Sequence, residues 1–439
     1  MKKKLMKNLF VAVMMVVLCL AVGMTASAET FGDYEYRVLE NGTVEITKYN
    51  GNETAIEIPS MIDEKMVTSI GEMAFWHENC ETIISIIVPN SITNIGDCAF
   101  NCCYNLEEII LQEGILSIGN QAFGFCRDLE SIYIPNTVQT IGDGAFIDCA
   151  SLTSITIPSS VTYIGGFETF YECVSLTSIN VDENNEYYSS DEFGVLFDKN
   201  KTILINYPIG NKRTSYIMPD SVSVIKTFAF MECLYLEEID FSENLIEIEY
   251  AAFPMGFCFK ELYLPKSVQK IGDMAFYSLL SVEKIYIESM QADIGEISFG
   301  FTDYDISGLE SQEIAERFAN GIKTNNYDEL LSILKPFENP TGIGTIYCHA
   351  GSTAETYAIE NNLEYVLTHF YEDEWTYDYE NLVKYRKCIH CDETESETIE
   401  PELPAEPEEP VTPEKESIFT KVFDLIKMFF NLILSWFNK

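Results

Sequence analysis

The sequence predicts a mainly β protein, an open solenoid of rungs about 23 residues long. Three observations carry this. The phrase Ile95-Gly96-Asp97-Cys98-Ala99-Phe100 returns as Ile118-Gly119-Asn120-Gln121-Ala122-Phe123 and as Ile141-Gly142-Asp143-Gly144-Ala145-Phe146, its Ile and Phe 23 residues apart. A triplet of the form apolar, exposed, apolar follows each phrase, as in Ile132-Tyr133-Ile134, which is a half-buried strand of minimal length. Pro135 then closes the triplet, since proline cannot donate a ladder hydrogen bond.

In chain order, residues 1–28 read as an export signal. Lys2, Lys3, Lys4 and Lys7 precede an apolar run from Leu9 to Val22, and Ala26-Ser27-Ala28 is a small-residue cleavage site. The run is short for a bilayer span. Residues 29–66 are assigned to an N-terminal β cap and 67–300 to the solenoid. Rungs open at Ile70, Ile95, Ile118, Ile141, Ile164, Ile271 and Ile294, each followed by Gly, and at Ile225 and Ile248 without it, giving nine. The strand recurs as Ile155-Thr156-Ile157, Leu262-Tyr263-Leu264 and Ile285-Tyr286-Ile287. Stacking is obligatory, because a lone rung buries too little apolar surface to offset its ordering.

The repeat breaks once, between Ile164 and Ile225, 61 residues apart. Residues 195–205 there are two apolar strands about a polar turn, so a β-hairpin insertion is assigned to about 183–218. After Phe301 the period stops. Ile314, Phe318, Ile322, Leu330, Leu331 and Leu334 have helical spacing, and 301–345 is assigned to a helical insertion, with 346–368 a closing rung. Cys103, Cys126, Cys149, Cys173 and Cys233 each fall three residues after a repeat Phe, so they are predicted to be buried thiols facing the core.

These residues resemble the BspA-type leucine-rich repeat family of bacterial surface proteins. The resemblance rests on the rung with its Ala-Phe and Cys, as in Gly142-Asp143-Gly144-Ala145-Phe146-Ile147-Asp148-Cys149. The insert around Tyr187 to Pro219 and the phrase Gly351-Ser352-Thr353-Ala354-Glu355-Thr356-Tyr357-Ala358 also look like this family. It covers roughly residues 67–368. It implies an open right-handed leucine-rich-repeat solenoid, outside the cell, used for adhesion or recognition, with ligands that vary between members.

Residues 369–400 look like a small accessory module marked by Trp375 and Lys387-Cys388-Ile389-His390-Cys391. Cys388 and Cys391, with His369 and His390, are weak metal-ligand candidates, because zinc wants four ligands. A local disulfide or free thiols is the plainer reading. Residues 401–417 are a Pro/Glu linker. Residues 418–439 read as an amphipathic apolar helix presenting Phe419, Phe423, Ile426, Phe430, Ile433, Trp436 and Phe437. It is suited to lie at a membrane interface, to span with strain, or to pack against other copies.

Net charge is −43, and loss of the signal would leave 23 basic against 70 acidic side chains. Such a field repels nucleic acid and favours basic partners. There is no Gly-x-Ser-x-Gly, no His-Glu-x-x-His and no phosphate-cradling Gly-Lys-Ser/Thr loop. The sequence therefore calls for no enzyme activity and no cofactor. The expected ligand is an extracellular protein or glycan. The expected surface is the outward middle residue of each strand: Ile87, Ile110, Tyr133, Thr156, Asn180, Asp240, Tyr263 and Tyr286, beside Glu107, Glu108, Glu130, Glu237, Glu238, Glu261 and Glu283.

Overall fold

The computed structural model describes residues 29–398, except 77–79, 255–258, 278, 280–281, 297, 300–303, 306–334, 337–344, 362, 372–375, 379–382 and 392. The residues read as an export signal, the Pro/Glu linker and the apolar tail lie outside the described residues, as does most of the expected helical insertion; within it Tyr304–Asp305 and Lys335–Pro336 are described, as an antiparallel pair. The chain divides into two units, residues 1–370 and 371–439. The first is mostly β, a solenoid of about 12 turns with rungs about 23 residues apart.

Each rung has three sides. A two-residue strand carries the opening Ile, and these strands pair in parallel and in register: Ile70 on Ile95, Ile95 on Ile118, Ile118 on Ile141, Ile141 on Ile164. The glycine after Ile is required by distance. A Cβ on Gly119 would sit 2.6 Å from the Asp97 backbone nitrogen, and one on Gly142 would sit 2.5 Å from that of Asn120. The Asp or Asn that follows caps the next rung. Asp97 Oδ1 accepts from Asn120 N–H (2.8 Å), Asn120 Oδ1 from Asp143 N–H (2.8 Å), and Asp143 Oδ1 from Gly166 N–H (2.8 Å). Where glycine is missing, Glu249 pairs with Lys226 (2.6 Å) and accepts from Thr227 N–H (3.0 Å).

The corner holds Ala and Phe. Phe100, Phe123 and Phe146 are fully buried and stack at 5.5 and 5.6 Å between centroids, with planes within 9°. A second stack runs Phe230, Phe253, Phe276, Phe299. The phased cysteines have a defined partner: Cys126, Cys149 and Cys173 donate S–H to the carbonyls of Phe100, Phe123 and Phe146, each in the preceding rung (3.4, 3.2 and 3.0 Å). That is the physical reason the thiol keeps its place in the repeat.

The structure corrects three assignments. The solenoid begins before residue 67, because Val44–Tyr49 pairs in parallel with Lys65–Ile70 and the Tyr49 ring stacks 5.3 Å from Phe75. The insertion is shorter than 183–218. Ile203–Asn206 pairs in parallel with Val224–Ile225 and Ser215–Ile217 with Glu238–Asp240, so residues 203–217 are a rung of the stack. Leu204 and Tyr207 stand where Ile and Phe would, and the Tyr207 ring stacks 5.2 Å from Phe230. These turns raise the count above nine. Thirdly, Ile132-Tyr133-Ile134 is not a strand: its ladder is reduced to a bridge between Ser131 and Ser154. Gln112 N–H bonds to Val88 O one rung earlier (3.3 Å); at the equivalent positions Pro135 cannot bond to the rung before this triplet and Pro158 cannot bond back to it from the rung after.

The extra residues form an antiparallel meander, Tyr188–Ser190, Leu196–Asp198 and Ile203–Asn206. Buried Asn185 joins it to the stack by donating to the carbonyls of Pro158 (2.8 Å) and Val161 (2.9 Å). The helix Thr353–Glu360 closes the described stack, capped by Ser352, whose side chain accepts from Glu355 N–H, and by Glu355, which accepts from Gly351 N–H. The second unit, described by itself, is an antiparallel meander of Thr376–Asp378, Val383–Lys387 and Thr394–Thr398.

Candidate functional site

The strand face is a set of parallel, in-register pairs, which brings equivalent residues side by side. Ile87 opposes Ile110, Thr156 opposes Asn180, and Tyr263 opposes Tyr286. Strand alternation turns these residues outward while Ile86, Ile109, Ile155, Ile179, Leu262 and Ile285 are buried. Ile110, Tyr133, Thr156, Asn180, Asp240 and Tyr263 are exposed, and Tyr286 is half-buried. Two residues of this face were not singled out by sequence reasoning. Ile217 opposes Asp240 and is 73% exposed. Tyr347 opposes Tyr286 across the join to Thr345–Cys348. The alternation in Thr345-Ile346-Tyr347-Cys348 was a signal for the second; Ile217 was hidden by its assignment to the insertion.

The tyrosines do not offer their faces. Tyr263 and Tyr286 stack with centroids 4.3 Å apart and planes 3° apart, and Tyr286 stacks on Tyr347 at 4.6 Å. The ring faces between these three are thus satisfied within the ladder. Tyr263 donates to Glu261 (2.7 Å), and Lys284 also reaches Glu261 (2.6 Å). Those two contacts hold the Glu261 carboxyl below its ordinary range, while burial and Glu261 push the Tyr263 phenol up. Tyr133 is separate and 57% exposed, donating to Glu113 (2.9 Å) and accepting from Asn136 (3.2 Å). Around these groups Glu107, Glu108, Glu130, Glu237, Glu238 and Glu283 are exposed. Chemically, this is a ridge of phenol edges and hydroxyls bordered by carboxylates, suited to hydrogen-bonding a polar ligand and to steering a basic one.

The repeat now decides the family. A model of the BspA-type leucine-rich repeat region matches in six copies, over residues 48–177, 106–204 and 209–321. The chain belongs to the BspA-type leucine-rich repeat family. Its first matched residue, at 48, falls in the early rung that the structure adds. Among solved structures, a leucine-rich repeat protein from Bacteroides ovatus is 23% identical over 78% of this chain and 77% of its own, with a TM-score of 0.50. The pneumococcal vaccine antigen PcpA is 20% identical over 78% and 99%, with a TM-score of 0.50. Both share the fold. A leucine rich cell surface protein from Faecalibacterium prausnitzii is 25% identical over 66% and 97%, with a TM-score of 0.38. No curated protein matches this BspA-type chain.

The weak metal candidates fall in both units. In the first, exposed His369 stands with its ring 5.6 Å from that of buried His349. In the second, Cys388 is buried, and His390 and Cys391 are half-buried on the turn between Val383–Lys387 and Thr394–Thr398. That turn is closed by Cys388 N–H on Glu393 O (2.8 Å).

Proposed function

We propose that this BspA-type protein is exported and acts at the bacterial cell surface, or beyond it, as a non-enzymatic adhesion or recognition module for a protein or glycan ligand. The observation that carries this reading is the strand face: in-register outward residues, a three-tyrosine ridge and an exposed acidic border, repeated along one side of a long stack. The family and the signal-like first 28 residues support it. Phenol hydroxyls and edges suit sugar hydroxyls and peptide groups, and the net charge of −43 favours a basic partner and disfavours nucleic acid.

The test is a combined Tyr133→Ser, Tyr263→Ser, Tyr286→Ser and Tyr347→Ser variant, checked for native circular dichroism and screened beside the parent on matrix proteins, mucin glycans and bacterial cells. Binding that drops at least tenfold on one ligand class is expected. Undiminished binding by a folded variant moves the site off this face.

A further inference from the structure

The two runs of stacked rings stop at the break in the repeat. Phe170 ends the first, stacked on Phe146 at 6.0 Å with planes 3° apart, and Tyr207 begins the second, stacked on Phe230 at 5.2 Å. Phe170 belongs to the first buried core and Tyr207 to the second. Phe193 stands one period of 23 residues after Phe170, but the insertion carries it away to meet Tyr216 edge-on at 6.2 Å.

A cavity of 20 Å³ is left at this break, lined by the rings of Phe170, Tyr207 and Phe228, by Met231, and by Glu172 and Asn206. That volume admits one water-sized group. Glu172, Asn206, Phe228 and Met231 are half-buried, so the rim of the cavity meets solvent. Tyr207 is 2% exposed, and its hydroxyl has no hydrogen-bond partner among the described residues. A phenol buried in that way costs free energy until something enters to bond it. Among the described residues no ion pair reaches Glu172.

We propose that this cavity receives the side-chain ammonium of a lysine carried by a basic protein partner. Glu172 supplies the counter-charge. With it, the Tyr207 phenol and the Asn206 amide offer three oxygen acceptors for the three N–H donors of an ammonium. The surrounding rings favour a cation over a neutral group, and Met231 gives the apolar stem of the lysine a surface to lie on. One carboxylate and one amide are too few oxygens for a divalent metal ion. A guanidinium or a quaternary ammonium has several heavy atoms and exceeds the volume, whereas a primary ammonium is the size of a water. The net charge of −43 draws a basic partner toward the site. The cavity lies at the ring corner of the rung and not on its strand face, so failure of either site leaves the other standing.

The experiment titrates the full chain with Nα-acetyl-lysine amide, followed by saturation-transfer NMR. Its Nε-acetylated form, the arginine analogue and tetramethylammonium are titrated in parallel. Parent protein should bind the lysine probe saturably in the millimolar range and the other three much more weakly. Glu172→Gln should weaken lysine binding about tenfold and Tyr207→Phe about threefold, while Glu40→Gln on an exposed turn leaves it unchanged. Tyr207→Phe keeps the ring, and Glu172→Gln, at a half-buried side chain, gives an independent reading should the first fold poorly. Equal lysine binding by all four proteins would mean diffuse attraction to surface acids and would overturn the site. No binding by the parent, or equal binding of the acetylated probe or tetramethylammonium, would overturn it as well.

Discussion

Burial raises the carboxyls of Asp148, to about 6, and Glu232, to about 8. For an acid whose folded value is raised, the folded state holds a proton that the unfolded chain has released. The stability linked to it is therefore present in full below about pH 4 and is lost as pH rises to the folded value. For Glu232 the window runs from about 4.5 to about 8, set by burial first and then by the charge of Glu172. Glu232→Gln should flatten the fall in stability between pH 5 and 8 by up to about 4 kcal/mol relative to the parent, read from urea midpoints. An unchanged difference would mean that Glu232 is solvated. Sequence inspection passed over this residue, because one Glu before a repeat Cys is indistinguishable among 70 acids. Phe123 is the opposite case, announced by its period. Phe123→Ala opens a gap between Phe100 and Phe146 and should cost about 3–5 kcal/mol in the same denaturation experiment.

At the scale of the element, most of the rung was legible because its residues meet fixed distances. Ile-Gly recurs because only glycine clears the backbone of the rung before it, so Gly119→Ala should destabilise by about 1–3 kcal/mol through forced displacement of Asp97, as urea denaturation would measure. The unread rungs are those where other side chains fill the same space: Tyr49 before Phe75, and Leu204 with Tyr207 before Phe230. A pattern of letters does not show that a tyrosine ring can continue a phenylalanine stack. The broken strand at Ile132–Ile134 was misread for a different reason. Its alternation is intact, but the pairing depends on an N–H one position later, which Pro135 lacks toward the rung before and Pro158 lacks from the rung after. On the strand face, outward direction followed from alternation, whereas ring stacking did not. Tyr263, Tyr286 and Tyr347 turn their faces to one another because parallel in-register pairing sets equivalent side chains one strand spacing apart.

For the whole molecule, the core thiols and the charge act together. Burial, with Cys80 as the leading cause for Cys103, pushes Cys103, Cys126, Cys149 and Cys173 well above the ordinary thiol range. Thiolate is the reactive form, so these residues are inert while the stack holds. Among the described cysteines, reaction of native protein with an aromatic disulfide reagent should be confined at first to half-buried Cys98, Cys102 and Cys391, and the others should react together on unfolding in guanidinium. Fast labelling of Cys126 in native protein would mean that rungs separate locally.

The apolar tail bears on how such a stack would be used, because linking copies raises the avidity of a binding face. The sequence places a self-repelling linker with Pro401, Pro404, Pro407, Pro410 and Pro413 ahead of residues 418–439, so the tail is expected to act apart from the repeats. Two uses follow from its composition and are separable by light scattering of the protein with and without residues 418–439. If the tail assembles copies, the longer form gives concentration-dependent oligomers and the truncated form a monomer. If it anchors, both are monomers, and only the longer form floats with lipid vesicles. Phe423→Asp and Ile426→Asp, placed in the apolar run, should abolish whichever behaviour is seen and leave the melting of the repeats unchanged. A drop in that melting temperature would show instead that the tail packs on the solenoid as a cap.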